Sequence, residues 1–463
     1  MRRSDVPPAV RQSRVTRSPR GRRAVAALAV LAALPLAALA GCTAAAAPKP
    51  ATSALKHAAA ALKPAAHVAL QFDPDVSQPA GPPPAAIAKF RWSTLASSPL
   101  GYRNSPLLAW ADGRLLEFGG FAKGSTSKSA VGAAFDPATR RWQRIAAAPV
   151  GASLADGPSS AVWTGRYLAV ASGNAEPCPG NTAPAPHCWT GLTLYDPTVN
   201  RWTVLAVPRP FDGLSMSALV WTGHDLIVGA VGPQNGTNPN GGRLALAAYS
   251  PTTRRWQTLT PPLPSGHAPG GLYLVYDDGR LVLTSQWVHA VGTGPGSQGT
   301  WGVDVLTMTA AGTWRNVTSR WPQAVAYGTT ATGDGVLDTP GDFWCGGLCT
   351  GAFTNNDRGY LVNPVSLAAR RIPAGPFAAL ESGDLNWVWA GEAILTVDAE
   401  PNPDGPSGRP SLSGDMAMFD PATQRWTGLP ATPGHPPLAG SSVWTGTELL
   451  NLTEAGALFA FHR

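Results

Sequence analysis

The chain has 463 residues, with 35 Lys and Arg against 28 Asp and Glu. Eight of the basic and one of the acidic residues precede Cys42, so the remainder carries 27 of each and is neutral. The pI of about 9.3 therefore belongs to the N-terminal segment. A neutral chain has no basic surface for phosphates, so we expect no nucleic-acid partner.

Residues 1–41 have the composition of an export signal. Arg-rich residues 1–23 precede an apolar run from Ala24 to Ala40, which leads into Gly41 and Cys42. This order is typical of a secretory signal peptide, and the Leu-Ala-Gly-Cys ending resembles the lipobox of bacterial lipoproteins. The resemblance implies cleavage before Cys42, a lipid on its thiol, and a location on the outer face of the cytoplasmic membrane. The alternatives are an ordinary signal peptide or an uncleaved anchor.

Residues 42–88 are rich in Ala and Pro and contain few side chains that could form a core. This composition predicts a disordered, semi-extended tether. We expect it to space residues 89–463 from the membrane.

One eight-residue pattern recurs in the rest of the chain. An aromatic residue is followed by Asp-Pro or Ser-Pro, and a Trp stands seven positions after the aromatic, at 135–142, 195–202, 249–256 and 419–426. Asp and Pro favour the opening positions of a tight turn, so each copy predicts a hairpin. Incomplete copies around residues 92, 314 and 370 extend the series to seven, about 56 residues apart, which is near the repeat length of propeller blades.

A second series alternates with the first. Seven apolar segments each end in a Gly-bearing turn and are followed by another apolar strand, as in Trp110 to Phe118. Together the two series predict an all-β fold of seven four-stranded blades. The last unit supplies three strands, so we expect residues 90–95 to complete it and to close the ring without a free sheet edge.

The Gly119-Gly120 doublet and the aromatic-to-Trp spacing across Asp-Pro-x-Thr resemble the kelch family of β-propellers, the superfamily that includes galactose oxidase. The resemblance covers about 90–463, although the doublet becomes Ser172-Gly173 in the next unit. Galactose oxidase chemistry would require copper held by two Tyr and two His, with one Tyr linked to a Cys. No such set is recognisable, so we expect neither a metal nor another cofactor.

The other four cysteines form two local pairs, Cys178 with Cys188 and Cys345 with Cys349. Each pair lies within one predicted loop, and disulfides persist in exported proteins, so we predict two short disulfides. Zinc binding is the alternative for the second pair, but that pair lacks a further pair of ligands at suitable spacing.

Up-and-down blades place their connections on two faces. The turns after first and third strands form a short-turn face, which includes residues 112–113 and 137–140. The loops after second strands and the blade-to-blade crossings form a long-loop face, whose loops are predicted at 121–130, 174–190, 233–242, 287–302, 337–358 and 399–414. Long loops on a rigid scaffold commonly carry binding groups.

Eight aromatic and imidazole side chains are candidate ligand contacts on the long-loop face: Trp189, Trp287, Trp301, Trp344, His187, His267, His289 and His435. Trp rings can stack on sugars or cations. The alternatives are packing within the loops for Trp and ordinary loop polarity for His.

No nucleophile, general base or metal motif is recognisable, so catalytic residues remain unassigned. We interpret the protein as a monomeric, non-catalytic binding or scaffolding module for glycan or protein ligands. The alternative is a carbohydrate-active enzyme at the same face, either galactose-oxidase-like or a glycosidase. A glycosidase would need a carboxyl pair from the loop acids Glu176, Asp338, Asp342, Asp357, Glu400 and Asp404.

Overall fold

The computed structural model describes residues 70–73, 81–104, 106–125, 129–149, 161–172, 191–211, 214–232, 242–267, 269–290, 299–322, 328–333, 335–339, 359–373, 385–398, 416–432 and 440–463. The predicted signal peptide and all five cysteines lie outside these residues. Lipidation of Cys42 and the two disulfides therefore remain predictions.

The described strands form seven antiparallel sheets of four strands each. Strand β1 (Arg91–Thr94) comes first, and blade 1 then contains β2 (Leu107–Ala111), β3 (Arg114–Phe118), β4 (Gly132–Asp136) and β5 (Arg141–Ile145). Blade 2 contains β6 (Ala161–Trp163), β7 (Leu168–Ser172), β8 (Gly191–Asp196) and β9 (Arg201–Leu205). Blade 3 contains β10 (Ser215–Trp221), β11 (Leu226–Val231), β12 (Leu244–Ser250) and β13 (Arg255–Leu259).

Blade 4 contains β14 (Pro269–Asp277), β15 (Arg280–Ala290), β16 (Gly299–Thr309) and β17 (Trp314–Asn316). Blade 5 contains β18 (Gly328–Ala331), β19 (Val336–Thr339), β20 (Tyr360–Val362) and β21 (Ala369–Arg371). Blade 6 contains β22 (Leu385–Trp389), β23 (Ile394–Asp398), β24 (Met416–Asp420) and β25 (Arg425–Leu429). Blade 7 contains β26 (Gly440–Trp444), β27 (Leu449–Thr453), β28 (Leu458–His462) and β1.

The predicted seven-bladed propeller and its closure are confirmed. Strand β1 pairs with β28, with Trp92 opposite Phe461, so the first and last strands of the described chain complete blade 7 together. First strands of successive blades contact each other, as β2 does with β6 and β26. Short helical turns are the only helices described, and α1 (Pro84–Ile87) precedes β1. No helix among the described residues is long and apolar enough to cross a membrane.

The Asp-Pro turns form as their residues predict. Asp136 Oδ1 accepts the backbone N–H of Ala138 at 2.9 Å, and Asp420 accepts that of Ala422 at the same distance. The last turn residue has a left-handed φ of 50–57° in four blades, at Arg140, Asn200, Arg254 and Gln424. These bonds position the aromatic of the third strand opposite the Trp of the fourth.

The repeat Trp residues connect neighbouring blades. In four blades the indole N–H of the fourth-strand Trp donates, at 2.7–2.9 Å, to a carbonyl just beyond the fourth strand of the preceding blade. The pairs are Trp92 with Pro430, Trp142 with Ala96, Trp202 with Ala146, and Trp426 with Pro373. Each bond fixes the start of one crossing on the long-loop face.

Two second-strand carboxyls anchor the crossings that enter their blades. Glu117 in β3 accepts the hydroxyl of Ser98, and Asp338 in β19 accepts the indole N–H of Trp321 at 2.9 Å. The two residues are 1% and 0% exposed. One oxygen of each carboxyl has no partner among the described residues. Burial raises the pKa of Glu117 to about 7, although the hydrogen bond from Ser98 and the charge of Arg103 each lower it. Burial also raises the pKa of Asp338 to about 7.

Two predicted loop boundaries are wrong. Residues 287–290 and 299–302 belong to β15 and β16, which pair as far as Ala290 and Gly299, so the predicted loop 287–302 is largely a hairpin. Asp338 was expected in a loop, but it lies in β19 and is fully buried. An inaccessible carboxyl cannot meet a glycan, which removes Asp338 from the possible glycosidase pair.

The predicted tether is described at residues 70–73 and 81–88, and both pieces contact the propeller. Phe72 forms a β-bridge with Gly223, and Ile87 is fully buried among residues of blades 6 and 7. The domain boundary at residue 88 remains a prediction. The structure adds that described residues upstream of this boundary contact the propeller.

We expect Trp202→Phe to lower the free energy of unfolding by about 1 kcal/mol more than Trp256→Phe, because only Trp202 loses a described indole-to-carbonyl bond. Both residues pack on the third-strand aromatic, at 5.0 and 4.9 Å between ring centroids, which makes Trp256 a matched control. Urea denaturation of both variants measures the difference. Equal losses would show that the bond to Ala146 contributes nothing net.

We expect the stability of the native protein to fall as pH rises from about 4.5 to about 7, because folding keeps Glu117 protonated while the unfolded chain releases its proton. Glu117→Gln should remove up to about 3 kcal/mol of this fall, at roughly 1.4 kcal/mol per pH unit. Urea midpoints at pH 5 and pH 7.5 test the change, with the exposed Glu392→Gln as control. An identical pH dependence in native protein and Glu117→Gln would contradict it.

Candidate functional site

The long-loop face is defined by strand ends. In each of blades 1–6 the second strand ends, the third begins and the crossing leaves at the same end of the sheet, because all four strands are antiparallel neighbours. Predicted site residues that the structure describes on this face concentrate at the junction of blades 3 and 4. His267 lies in the crossing between β13 and β14, and Trp287 lies in β15.

His267 makes a hydrogen bond with a buried carboxylate. Its Nδ1 lies 2.8 Å from Oδ2 of Asp304, and the side chains are 29% and 4% exposed. An ionised carboxylate only accepts hydrogen bonds, so Nδ1 carries a proton and donates it. The Nε2 atom of a neutral imidazole is then an acceptor, and no hydrogen bond to it is found within the described part of the chain. The same arrangement orients imidazoles that serve as bases or bind ligands elsewhere.

The indole of Trp287 supports the imidazole from one side. The two ring centroids are 3.9 Å apart and the planes differ by 20°. Trp287 lies opposite Gly302 in the hairpin, where a Cβ would collide with the indole ring. The indole nitrogen is buried without a partner among the described residues. Trp287 therefore holds His267 in place, and its covered face is not a platform for a sugar.

Strand register explains why these side chains meet. Ser285 pairs with Asp304 and Trp287 pairs with Gly302, so all four positions share one side of the hairpin. Leu281 and Leu283 lie on the same side of β15 as Ser285 and Trp287, and they pack against residues of blade 3. That side of the hairpin therefore faces blade 3. The crossing from blade 3 passes there, and the turn at Gly266, with φ of 84°, delivers His267.

The crossing that carries His267 also borders a cleft of about 310 Å³. Leu263 and Pro269 form one wall, and Leu244 and Leu259 of blade 3 contribute apolar surface. His267 does not line this cleft, but it follows Leu263 and precedes Pro269 in the same crossing. Within the described part of the chain no three His, Cys, Asp or Glu side chains are placed to hold a metal ion.

A second polar pair lies at the junction of blades 7 and 1. The hydroxyl of Tyr102 donates to Glu454 at 2.8 Å, and this bond raises the tyrosine pKa. Glu454 belongs to the tight turn between β27 and β28, the short counterpart of the long loops elsewhere. This exposed pair is remote in the ring from the His267 crossing and forms no catalytic set with it.

Of the eight residues predicted to contact a ligand, the structure brings two together, His267 and Trp287. Trp301 lies in β16 and His289 in β15, opposite Thr300, but their side chains are not described. Four predicted contacts lie outside the described residues: Trp189, Trp344, His187 and His435. Sequence reasoning missed Asp304, although a charged residue between Val303 and Val305 in an apolar strand was a usable signal.

Comparisons with known proteins give limited similarity. No protein-family model matches the chain. A 165-residue stretch is 30% identical to an N-acetylneuraminate epimerase of Yersinia enterocolitica, and the match covers 30% of this chain and 42% of that protein. The chain thus spans less than half the length of this curated relative.

Two solved structures are weakly similar to the chain. A virginiamycin B lyase from Staphylococcus aureus, crystallised with quinupristin, has a TM-score of 0.45 at 8% identity and covers 81% of this chain and 100% of its own. A chain of the mitotic checkpoint complex has a TM-score of 0.44 at 13% identity and covers 85% of this chain and 99% of its own. The seven-bladed propeller itself is established by strand order and pairing.

Proposed function

We propose that this protein is a kelch-like propeller, anchored through Cys42 to the outer face of the cytoplasmic membrane, that binds an extracytoplasmic ligand through its long-loop face without transforming it. The observation that carries the proposal is the His267 side chain, which Asp304 and Trp287 hold in one orientation on that face. The predicted export signal at residues 1–41 supports the location.

A carbohydrate is the favoured ligand class. A fixed imidazole offers one hydrogen-bonding atom to a hydroxyl group at little entropic cost, because its rotamer is already held. The neighbouring cleft between Leu244 and Pro269 supplies apolar surface for the face of a ring. The name of the Yersinia relative refers to N-acetylneuraminate, a sugar acid, and this also favours a carbohydrate. The alternative ligand class is a protein that binds to the same face.

We expect a screen of glycans and peptidoglycan fragments to give a ligand whose affinity falls about tenfold or more in His267→Ala, the loss expected for one oriented polar contact. The exposed His224 follows the Gly223 turn on the short-turn face, so His224→Ala is a matched control that should bind normally. Isothermal calorimetry measures both affinities, and circular dichroism verifies folding. Binding that His267→Ala leaves unchanged would place the ligand elsewhere.

A carbohydrate-active enzyme is the second candidate, favoured by the same His267–Asp304 pair. A His held by a buried carboxylate can take a proton from a substrate when its Nε2 is free. In this case Asp304→Asn would retain the imidazole but favour the wrong tautomer.

The two candidates separate on turnover. We expect N-acetylneuraminate and related sugars to show no conversion by proton NMR with the native protein. If conversion occurs, and Asp304→Asn lowers kcat by about a hundredfold or more with KM little changed, His267 acts as a general base and the non-catalytic proposal is wrong. Asp278→Asn in the exposed turn of blade 4 is the matched control.

A further inference from the structure

We propose that residues 70–73 are a latch that holds the upstream chain on the short-turn face, at blades 3 and 4, and so directs the long-loop face away from the membrane. The orientation rests on the lipid anchor of the proposed function, whereas the latch itself does not. The inference joins three observations: a docked segment, its position in the ring, and the place of Cys42 before it in the sequence.

The latch is held by directed hydrogen bonds. Asp73 N–H donates to the carbonyl of Thr222 at 2.9 Å, and the Thr222 hydroxyl donates to the carbonyl of Gln71 at 3.0 Å. Gln71 N–H donates to Asp225 Oδ2 at 3.2 Å. The Tyr276 hydroxyl donates to the carbonyl of Asp73 at 2.6 Å. Four bonds to a four-residue segment specify both its direction and its register.

Apolar contacts secure the same segment. Leu70 is 7% exposed and belongs to the core cluster shared by blades 3 and 4. Phe72 packs edge-on against Tyr276 at 5.3 Å between ring centroids. Leu70 and Phe72 are the apolar side chains through which the described segment 70–73 packs on blades 3 and 4.

The contacts place the latch on the short-turn face. Thr222 and Asp225 belong to the turn between β10 and β11, and Tyr276 precedes the turn between β14 and β15. A second contact follows at blade 6, where Gly81 approaches the backbone of Ala390 in the turn between β22 and β23. The chain thus meets the same face twice before it enters β1.

The position of the latch decides through which face the propeller is attached. Cys42 precedes Leu70 in the sequence, so a lipid on the Cys42 thiol would be linked to the propeller through the short-turn face. His267 lies on the opposite face, where a ligand outside the cell can approach.

Hydrogen exchange of the purified full chain tests the latch without any membrane. We expect the amides of Gln71 and Asp73 to be protected, and Phe72→Ala to reduce their protection about tenfold or more. Tyr276→Phe keeps the ring and removes one bond, so it should reduce protection less. The matched control is Val365→Ala, an exposed side chain on the same face, which should change nothing. Unprotected amides in the native chain would overturn the latch.

Energy transfer on phosphatidylcholine–phosphatidylglycerol vesicles tests the orientation. A donor dye on Val199→Cys, an exposed short-turn position, should transfer more strongly to acceptor-labelled lipid than a dye on Ala455→Cys, an exposed position on the long-loop face. Chain without an introduced cysteine corrects for labelling of native thiols. Phe72→Ala should reduce the difference in energy transfer between the two dye positions.

The outcomes separate the proposals. Equal or reversed transfer in the native chain overturns the orientation while the latch stands on its exchange data. A chain that does not float with vesicles overturns both the lipid anchor and the orientation. Ligand binding at His267, measured in solution, is independent of either result.

Discussion

The indole-to-carbonyl bond is the directional interaction that fixes how neighbouring blades meet at four junctions of the ring. Apolar packing between sheets is not directional, but an indole N–H of a fourth strand that reaches the carbonyl after the preceding fourth strand fixes how two blades are rotated and spaced. The acceptor belongs to a crossing, so the bond also defines where that crossing begins. The long-loop face is thereby built from the same contacts that stack the blades.

These bonds are distributed unevenly. They are described for blades 1, 2, 6 and 7. In the described part of the chain the equivalent Trp256 and Trp314 of blades 3 and 4 make no such bond, and blade 5 has Arg370 at this position. Blades 3 and 4 instead share the docked Leu70 and Phe72. The upstream segment thus contacts blades 3 and 4, which lack the described link, and also blade 6, which has it.

Sequence patterns predicted the fold because its determinants are local. The Asp-Pro turn, the aromatic-to-Trp spacing and the Gly-bearing turn each act within about ten residues, and their count fixes the number of blades. Ring closure followed from counting strands, since Trp92 had to pair somewhere. Strand boundaries were less predictable, because the Gly- and Pro-rich run at 292–296 is typical of a loop. The pairing of residues 287–290 with 299–302 nevertheless extends the hairpin on both sides of that run. The His267–Asp304 pair depends on register between segments 37 residues apart in sequence, which local patterns do not contain.

The extended hairpin explains why a site forms at blade 4. Strands β15 and β16 have 11 residues each, against five in β3 and β4, so their outer halves project beyond the layer where blades pack on each other. A buried carboxylate such as Asp304 requires a donor, and the crossing from blade 3 provides it in His267. The His267 side chain that satisfies Asp304 is itself 29% exposed. The contact that compensates the buried carboxylate is therefore also the contact that orients an imidazole toward a ligand.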